Sequence, residues 1–410
     1  MMEAIKDKVI ETSEKITAIG YENGGAGMTR LLYTKEWLEA QNLLLSMFKE
    51  SGFEAYSDDI GNIYGRLTGT EAPDEVIMSG SHIDTVVSGG NLDGQFGIEA
   101  AYLAMNYLKE KYGMPRRTLE VVSLAEEEGS RFPYVFWGSK NIVGIANDDD
   151  VKGLTDNNGV NFVDAMRECG FDFNSGNTVR TDIKAFIELH IEQGKVLETE
   201  GKQLGVVTSI AGQRRYNITL KGEANHAGTT PMGYRKDTVY AFSKICSQSV
   251  DKAKAEGDPL VLTFGKVVPQ PNTVNVVPGD ILFTMDCRHT DKETLHRFSD
   301  QMVADMREIC AEMEIEIDVD LWMDEMPIPM DPALTDLIDS TLAESGANYK
   351  RMHSGAGHDS QVFAPRIPTG MIFIPSVAGI SHNPAEKTNV EDLAAGVDAL
   401  ITVLYELAYK

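Results

Sequence analysis

Apolar and polar positions along this chain fall into two textures, and the change between them lies near residue 207. Before it, short apolar runs alternate with longer stretches of helical period. Residues 1 to about 50 predict helices around a loop at 20–27, with Trp37, Leu38, Leu43, Leu44, Leu45 and Phe48 supplying the apolar faces. Residues 75–80 predict a buried strand. Ile98, Ala101, Tyr102, Met105 and Leu108 then recur at helical spacing, and 118–124 predict a second strand. Strand, loop and helix in that rhythm imply an α/β layer with a largely parallel sheet. Functional side chains in such a layer sit just beyond the strand ends.

After residue 207 the pattern becomes richer in strands. Residues 215–221 alternate, 237–255 carry a helical period, and 260–266 and 281–287 read as strands. A long helix at 291–313 precedes a strand at 316–321. That β-α-β-β-α-β order predicts a compact, ferredoxin-like α+β insertion. A proline-bearing stretch, 324–332, returns the chain to helical and strand patterns. Residue types able to ligate a metal lie on both sides of the insertion. The expected organisation is a discontinuous catalytic domain, 1–207 and 327–410, interrupted by a lid domain at 208–326. No internal repeat or low-complexity segment is visible.

Length supports the division, because 410 residues exceed what one hydrophobic core usually serves. With 42% hydrophobic and 24% charged residues, the composition is that of an ordinary globular protein. The net charge of −26 leaves no basic excess to neutralise phosphates and argues against nucleic acid. It does not exclude an anionic substrate, since a few arginines in a cleft bind a carboxylate whatever the global charge. Cys169, Cys246, Cys287 and Cys310 are scattered, with no Cys-x-x-Cys pair, which fits free thiols in a reducing cytosol. The first residues begin an amphipathic polar helix without an apolar signal core. No run approaches the roughly 18 apolar residues of a membrane span. A soluble cytoplasmic protein is expected.

Candidate chemistry begins at His82, in Gly80-Ser81-His82-Ile83-Asp84-Thr85, with Asp93 eleven residues further on. Asp84 is placed to hold the second ring nitrogen of a ligand histidine and fix its tautomer. A turn histidine capped by an aspartate is the competing reading. Asp93 begins the next helix, where aspartate is also a normal cap. Beside His82 and a glycine-rich approach, a bridging role is favoured. Glu126, Glu127 and Glu128 follow an apolar strand and precede Gly129-Ser130-Arg131-Phe132, so part of the triplet is expected to point inward. Glu128 would bind metal, and Glu127 would carry a proton from water to the leaving nitrogen.

His190 and His382 are each unspecific alone. The order His, Asp, Glu-Glu, His and a distant His is much more specific. Three imidazoles and three carboxylates suffice to hold two divalent cations, and a set without thiolates suits zinc, manganese or cobalt. A two-metal site activates water at neutral pH and polarises a carbonyl, which is hydrolase chemistry. In the insertion, His226 on a polar loop could lie over a substrate oxygen, and the stretch 272–279, with Asn272 and Asn275, adds an amide. Arg288 offers a planar fork for a carboxylate. Pairing of Arg288 with Asp286 or another acid is an equal alternative.

Together, Ala125-Glu126-Glu127-Glu128-Gly129-Ser130-Arg131-Phe132, Glu188-Leu189-His190-Ile191-Glu192-Gln193-Gly194 and His226-Ala227-Gly228-Thr229-Thr230-Pro231-Met232 carry a family resemblance. They resemble the di-metal aminoacylase and carboxypeptidase family of metallopeptidases, in its branch of ureido and carbamoyl hydrolases. The likeness covers nearly the whole chain. Stretches 79–97, 132–140 and 352–359 are similar to the members that act on allantoate, a carboxylate with two ureido arms.

The resemblance implies an exopeptidase-like catalytic domain and a homodimer formed through the lid. It implies that His82 and His190 ligate one metal, Glu128 and His382 the other, with Asp93 bridging. Glu127 would be general base and acid, and His226 would stabilise the tetrahedral oxyanion, often from the lid of the partner subunit. Asn275 and Arg288 would hold the substrate carboxylate. Gln193, Gln213, Arg215 and His358 are further candidates for ureido or carboxylate contacts. The sequence does not depart from the family pattern at the five ligands or the base.

Manganese is the metal the resemblance favours, with zinc able to replace it. The implied reaction is hydrolysis of a ureido C–N bond of allantoate to ureidoglycine, ammonia and carbon dioxide. An N-carbamoyl-L-amino-acid hydrolase is the nearest rival. From another class, the rival is a catalytically silent metal-binding or interaction protein. Such a relative would commonly have lost Glu127 or a ligand, and none is missing here.

Overall fold

The computed structural model describes residues 2–21, 27–173 and 179–410, so 22–26 of the loop expected at 20–27 lie outside the described residues. The chain forms two compact units, Met1–Thr208 with Met330–Lys410, and Ser209–Pro329.

In the first unit the strand order is Glu54–Ser57, Ile63–Leu67, Arg117–Leu124, Ala72–His82, Ile183–Ile191, Thr369–Ile374 and Leu204–Ile210. The four strands from Arg117–Leu124 to Thr369–Ile374 are parallel, and the strands outside them pair antiparallel. Parallel strands read as continuous apolar runs because helices cover both faces of the sheet. Here Leu119, Val121, Ala185, Ile187 and Leu189 share a core with residues of the helices Met2–Thr17, Lys35–Glu50, Gln95–Tyr112 and Val390–Ala408. Their strand neighbours Val76, Met78, Val122, Leu124 and Phe186 pack on the other side with Val362 and Phe363. The helical spacing noted at 98–108 falls in Gln95–Tyr112, which buries Ile98, Ala101, Met105 and Leu108.

Ser209–Pro329 contains a five-stranded antiparallel sheet in the order Val267–Gln270, Asp280–His289, Gly212–Lys221, Glu316–Glu325. Val261–Thr263 also pairs with Asp280–His289. The run read as one strand at 260–266 is thus interrupted, and Gly265, which has little strand propensity, lies in the gap. Period-two alternation sends Tyr216, Ile218, Leu220, Ile281, Phe283, Met285 and Cys287 into one core with the helices Thr238–Glu256 and Lys292–Glu312. The same alternation leaves Gln213, Arg215, Asp286 and Arg288 together on the opposite, half-exposed face. Among the described residues no helix is long and apolar enough to cross a membrane.

Candidate functional site

The four central strands of the first unit are parallel, so their C-terminal ends lie along one edge. His82 is the last residue of its strand, Glu126 to Glu128 follow Arg117–Leu124, and His190 is the penultimate residue of Ile183–Ile191. His382 follows Thr369–Ile374 through a short turn. Two glycines make room for this crowding. Gly80 has φ +153°, and a Cβ there would collide with the Val122 carbonyl oxygen. Gly94 has φ +65°, and its Cβ would strike the His82 ring. Only glycine fits at these positions without displacing the Val122 strand or the His82 ring.

Asp93 stands at the centre. Its Oδ1 lies 3.1 Å from His190 Nε2 and 3.6 Å from His82 Nε2. Its Oδ2 lies 3.2 Å from His382 Nε2, which is in turn 3.3 Å from Glu128 Oε1. Atoms bound to one ion at about 2.0–2.2 Å sit roughly 3.0–3.6 Å apart. The spacings therefore fit two ions sharing one carboxylate, and the oxygen and nitrogen donors suit divalent cations. His82, Asp93 and His190 form one candidate metal group, and Asp93, Glu128 and His382 another.

Burial alone would raise the Asp93 carboxyl, but hydrogen bonds from His190, His382 and His82 outweigh it and hold the carboxyl well below its usual range. Burial conversely disfavours charge on His82 and His190, and the facing carboxylates outweigh it, raising both imidazoles. The cluster is an anionic trap for positive charge.

Asp84 has two jobs. Its carboxylate lies 3.2 Å from His82 Nδ1, and its backbone carbonyl lies 3.0 Å from the same nitrogen. The carboxylate also accepts from Glu127 N at 3.0 Å and Glu128 N at 3.1 Å, fixing the glutamate loop against the histidine strand. Desolvation pushes the Glu127 carboxyl well above its usual range, opposed by His82 and assisted by Glu128.

Gln193 belongs to this cluster: its amide donates to Asp93 Oδ2 at 2.7 Å, and its backbone has φ +56°. His382 shares that left-handed conformation at φ +54°. Such conformations in non-glycine residues persist where the surroundings over-determine them, as at functional sites. His358 packs edge-on to His190 at 4.6 Å, and its Nε2 lies 2.9 Å from Ser354 Oγ. Burial and the neighbouring His190 push it well below the ordinary imidazole range, so it stands neutral. With Glu188 and His190 it forms a third candidate metal group. Glu188, however, already accepts from Ser81 Oγ, Ser360 N and Ser360 Oγ. These donors also explain how a polar position survives in a strand that is almost wholly buried.

Some supporting residues escape a motif reading. Glu386 accepts from Leu92 N at 2.9 Å and Asp93 N at 3.1 Å, pinning the Asp93 turn, and from Ser381 Oγ at 2.8 Å. Ser381 also lies 2.8 Å from Asp93 Oδ2. A carboxylate four residues beyond a candidate ligand histidine was the available signal.

The remaining candidates lie in Ser209–Pro329 and form two groups. His226 and Asn275 are exposed neighbours, joined where Asn225–His226 pairs with Val276–Val277 and Ala227 N donates to the Asn275 carbonyl at 2.9 Å. Arg288 places Nε and Nη2 on the two oxygens of Asp286, both at 3.0 Å, and Arg215 Nε lies 2.9 Å from the same carboxylate. The pairing of Arg288 with Asp286, left open above, is present. Gln213 donates to Glu325 at 2.9 Å.

The chain is 61% identical, over the full length of both proteins, to allantoate amidohydrolase of Escherichia coli K12. It is 48% identical to the Bacillus subtilis 168 enzyme of that name, covering 99% of this chain and 98% of the relative. Against the N-carbamoyl-L-amino-acid amidohydrolase of Paenarthrobacter aurescens the identity is 34%, over 93% and 94%. A solved hydantoinase/carbamoylase-family amidase from Burkholderia multivorans superposes with a TM-score of 0.93 at 29% identity, covering 99% and 98% of the two chains. Residues 78–406 match Peptidase family M20/M25/M40, and the chain belongs to that family of divalent-metal hydrolases.

Proposed function

We propose that this protein hydrolyses a ureido C–N bond of allantoate, releasing ammonia, carbon dioxide and ureidoglycine. The observation that carries the substrate is the gradient of similarity, from 61% and 48% with two allantoate amidohydrolases to 34% with a carbamoyl-amino-acid enzyme. The reaction class is supported by the two oxygens of Asp93, each facing its own imidazole set.

His82 and His190 would hold one divalent cation and Glu128 and His382 the other, with Asp93 shared. Manganese is the favoured ion, and zinc is compatible with the same donors. Two such cations lower the pKa of water and polarise a carbonyl. Glu127 accepts the proton of the attacking water and delivers it to the departing nitrogen, so that ammonia leaves and the carbamate loses carbon dioxide. Asp84 keeps His82 and the glutamate loop in register for that transfer. His226 donates to the developing oxyanion, and Arg288 with Asn275 holds the substrate carboxylate. Arg215, Gln213, Gln193 and His358 supply further polar contacts or orient those groups. The four unpaired cysteines support a cytoplasmic setting.

Following ammonia release from allantoate and from N-carbamoyl amino acids tests the substrate. Faster release from allantoate is expected. The opposite preference, or release from neither by protein with both metals bound, overturns the reading.

Asp286 fixes the orientation of the planar Arg288 guanidinium through Nε and Nη2, and a planar fork suits bidentate recognition. Lysine carries a point charge and no fork. Arg288→Lys is therefore expected to lower kcat/KM about tenfold or more, the equivalent of losing a charge-assisted bond of about 1.5–3 kcal/mol. An unchanged kcat/KM moves the clamp to Arg215.

We also propose a homodimer formed through Ser209–Pro329, with each His226 serving its neighbour's catalytic centre. Inactive His226→Ala and inactive Glu127→Gln subunits would then complement one another. Random exchange yields one intact site in each heterodimer, roughly a quarter of wild-type activity. Verified exchange without recovery returns His226 to its own subunit.

A further inference from the structure

The loop that carries His226 is built around the imidazole. Gly228 N and Thr229 N both point at His226 Nδ1, at 3.0 and 3.2 Å. A ring nitrogen accepting backbone N–H groups holds no proton, so the single hydrogen of a neutral imidazole resides on Nε2. His226 thereby becomes a donor at its outer nitrogen, the form an oxyanion needs. Those two amides keep their aim only while residues 227–230 keep their turn. Within that stretch, Thr230 donates through its amide and hydroxyl to the His226 carbonyl, at 3.1 and 2.8 Å. The clamp from outside is Arg235, whose Nε donates to the Thr230 carbonyl at 3.0 Å and whose Nη2 donates to the Ala227 carbonyl at 2.6 Å. One rigid fork thus spans the turn at both ends.

We propose that Arg235 is a positioning residue for catalysis: it holds the 227–230 turn so that His226 presents Nε2–H, and not a bare nitrogen, to the reacting oxygen. The inference rests on the reading of His226 as oxyanion donor, and it adds a residue five positions beyond the polar loop. Two further observations support it. The guanidinium bonds to main-chain carbonyls, which neutral side chains of similar size cannot reproduce with two parallel N–H donors. The imidazole is exposed, so no packed wall would hold the ring if the turn relaxed.

The test compares wild type with Arg235→Met and Arg235→Lys, using the zinc-loaded full chain labelled with ¹⁵N-histidine. The His226 signal is assigned through its loss in His226→Asn. In wild type, Nδ1 should give an acceptor-type shift and Nε2 a protonated one. Arg235→Met should average the two shifts as the tautomers mix, with thermal unfolding little changed. Its kcat should fall between about tenfold and a hundredfold, in line with misplacing a catalytic group by an ångström, while KM holds. Arg235→Lys, with one ammonium for two carbonyls, should fall between the two. A tautomer that stays fixed in Arg235→Met overturns the proposal, as does a mixed tautomer with wild-type kcat while His226→Ala is inactive. If His226→Ala itself turns over normally, the oxyanion reading fails, and the tautomer measurement still decides whether Arg235 sets the ring.

Discussion

Glu127→Gln is expected to keep both metal ions and to lower turnover by about 10²–10⁴-fold, the range of a general acid–base group. The substitution preserves shape and the backbone bond from Glu127 N to Asp84, so the loop that also presents Glu128 stays in place. What disappears is a carboxylate able to take a proton and return it. In the proposed role one residue serves both half-steps, and the two aspartates nearest to it are engaged elsewhere. Asp93 is committed to three imidazoles, and Asp84 to two backbone amides and His82. Metal content after dialysis, read beside kcat, separates the outcomes. Near-normal turnover with both ions bound removes Glu127 from the proton path. Loss of one ion means that Glu127 and Glu128 have exchanged roles.

The parts of this site that were legible in the sequence are those where local pattern and chemistry coincide. Apolar runs ending near His82 and in Glu126 to Glu128 announce strands that deliver polar side chains at one edge, and His190 is the penultimate residue of a third strand beside them. Parallel pairing then brings these three segments side by side. What could not be read are contacts that depend on chain closure over long separations. Glu386 grips the Asp93 turn from 293 positions away, and Ser360 balances Glu188 from 172. No local period encodes either bond. Gln193 illustrates a different limit, because its residue type fits a substrate contact and the fold directs its amide to Asp93. Arg288 is a third kind of case. Sequence spacing placed Asp286 two residues away on a strand, hence on the same face, and this made pairing and substrate binding equally readable. The loop at 226–230 gave no hint of its internal order, since backbone amides aimed at a ring nitrogen leave no compositional mark.

Asp93→Ala is expected to empty both halves of the centre at once. Each carboxylate oxygen faces a different imidazole set: Oδ1 is shared by His82 and His190, and Oδ2 meets His382 beside Glu128. Without it one half retains two imidazoles, and the other an imidazole and one carboxylate. A partner one step removed from the metal already costs about 10–100-fold in affinity or activity, and two such losses compound to about 10²–10⁴-fold. Removing a directly shared ligand should meet or exceed that figure. Gln193, which donates to Asp93 Oδ2, loses its acceptor, and Ser381, whose hydroxyl lies 2.8 Å from that oxygen, loses a neighbour, so the Ala variant leaves polar groups facing a void. Asp93→Asn separates the two effects. It keeps the volume but loses the negative charge that both ions would share. If bridging matters, Asn should also lose metal despite its shape, with activity falling alongside Ala. Elemental analysis after dialysis against metal-free buffer, paired with turnover, is the measurement. Two ions per chain with substantial activity in Asp93→Ala would show that the paired imidazoles and Glu128 hold the ions unaided. Retention of one ion would assign Asp93 to a single site and leave the other to its remaining ligands.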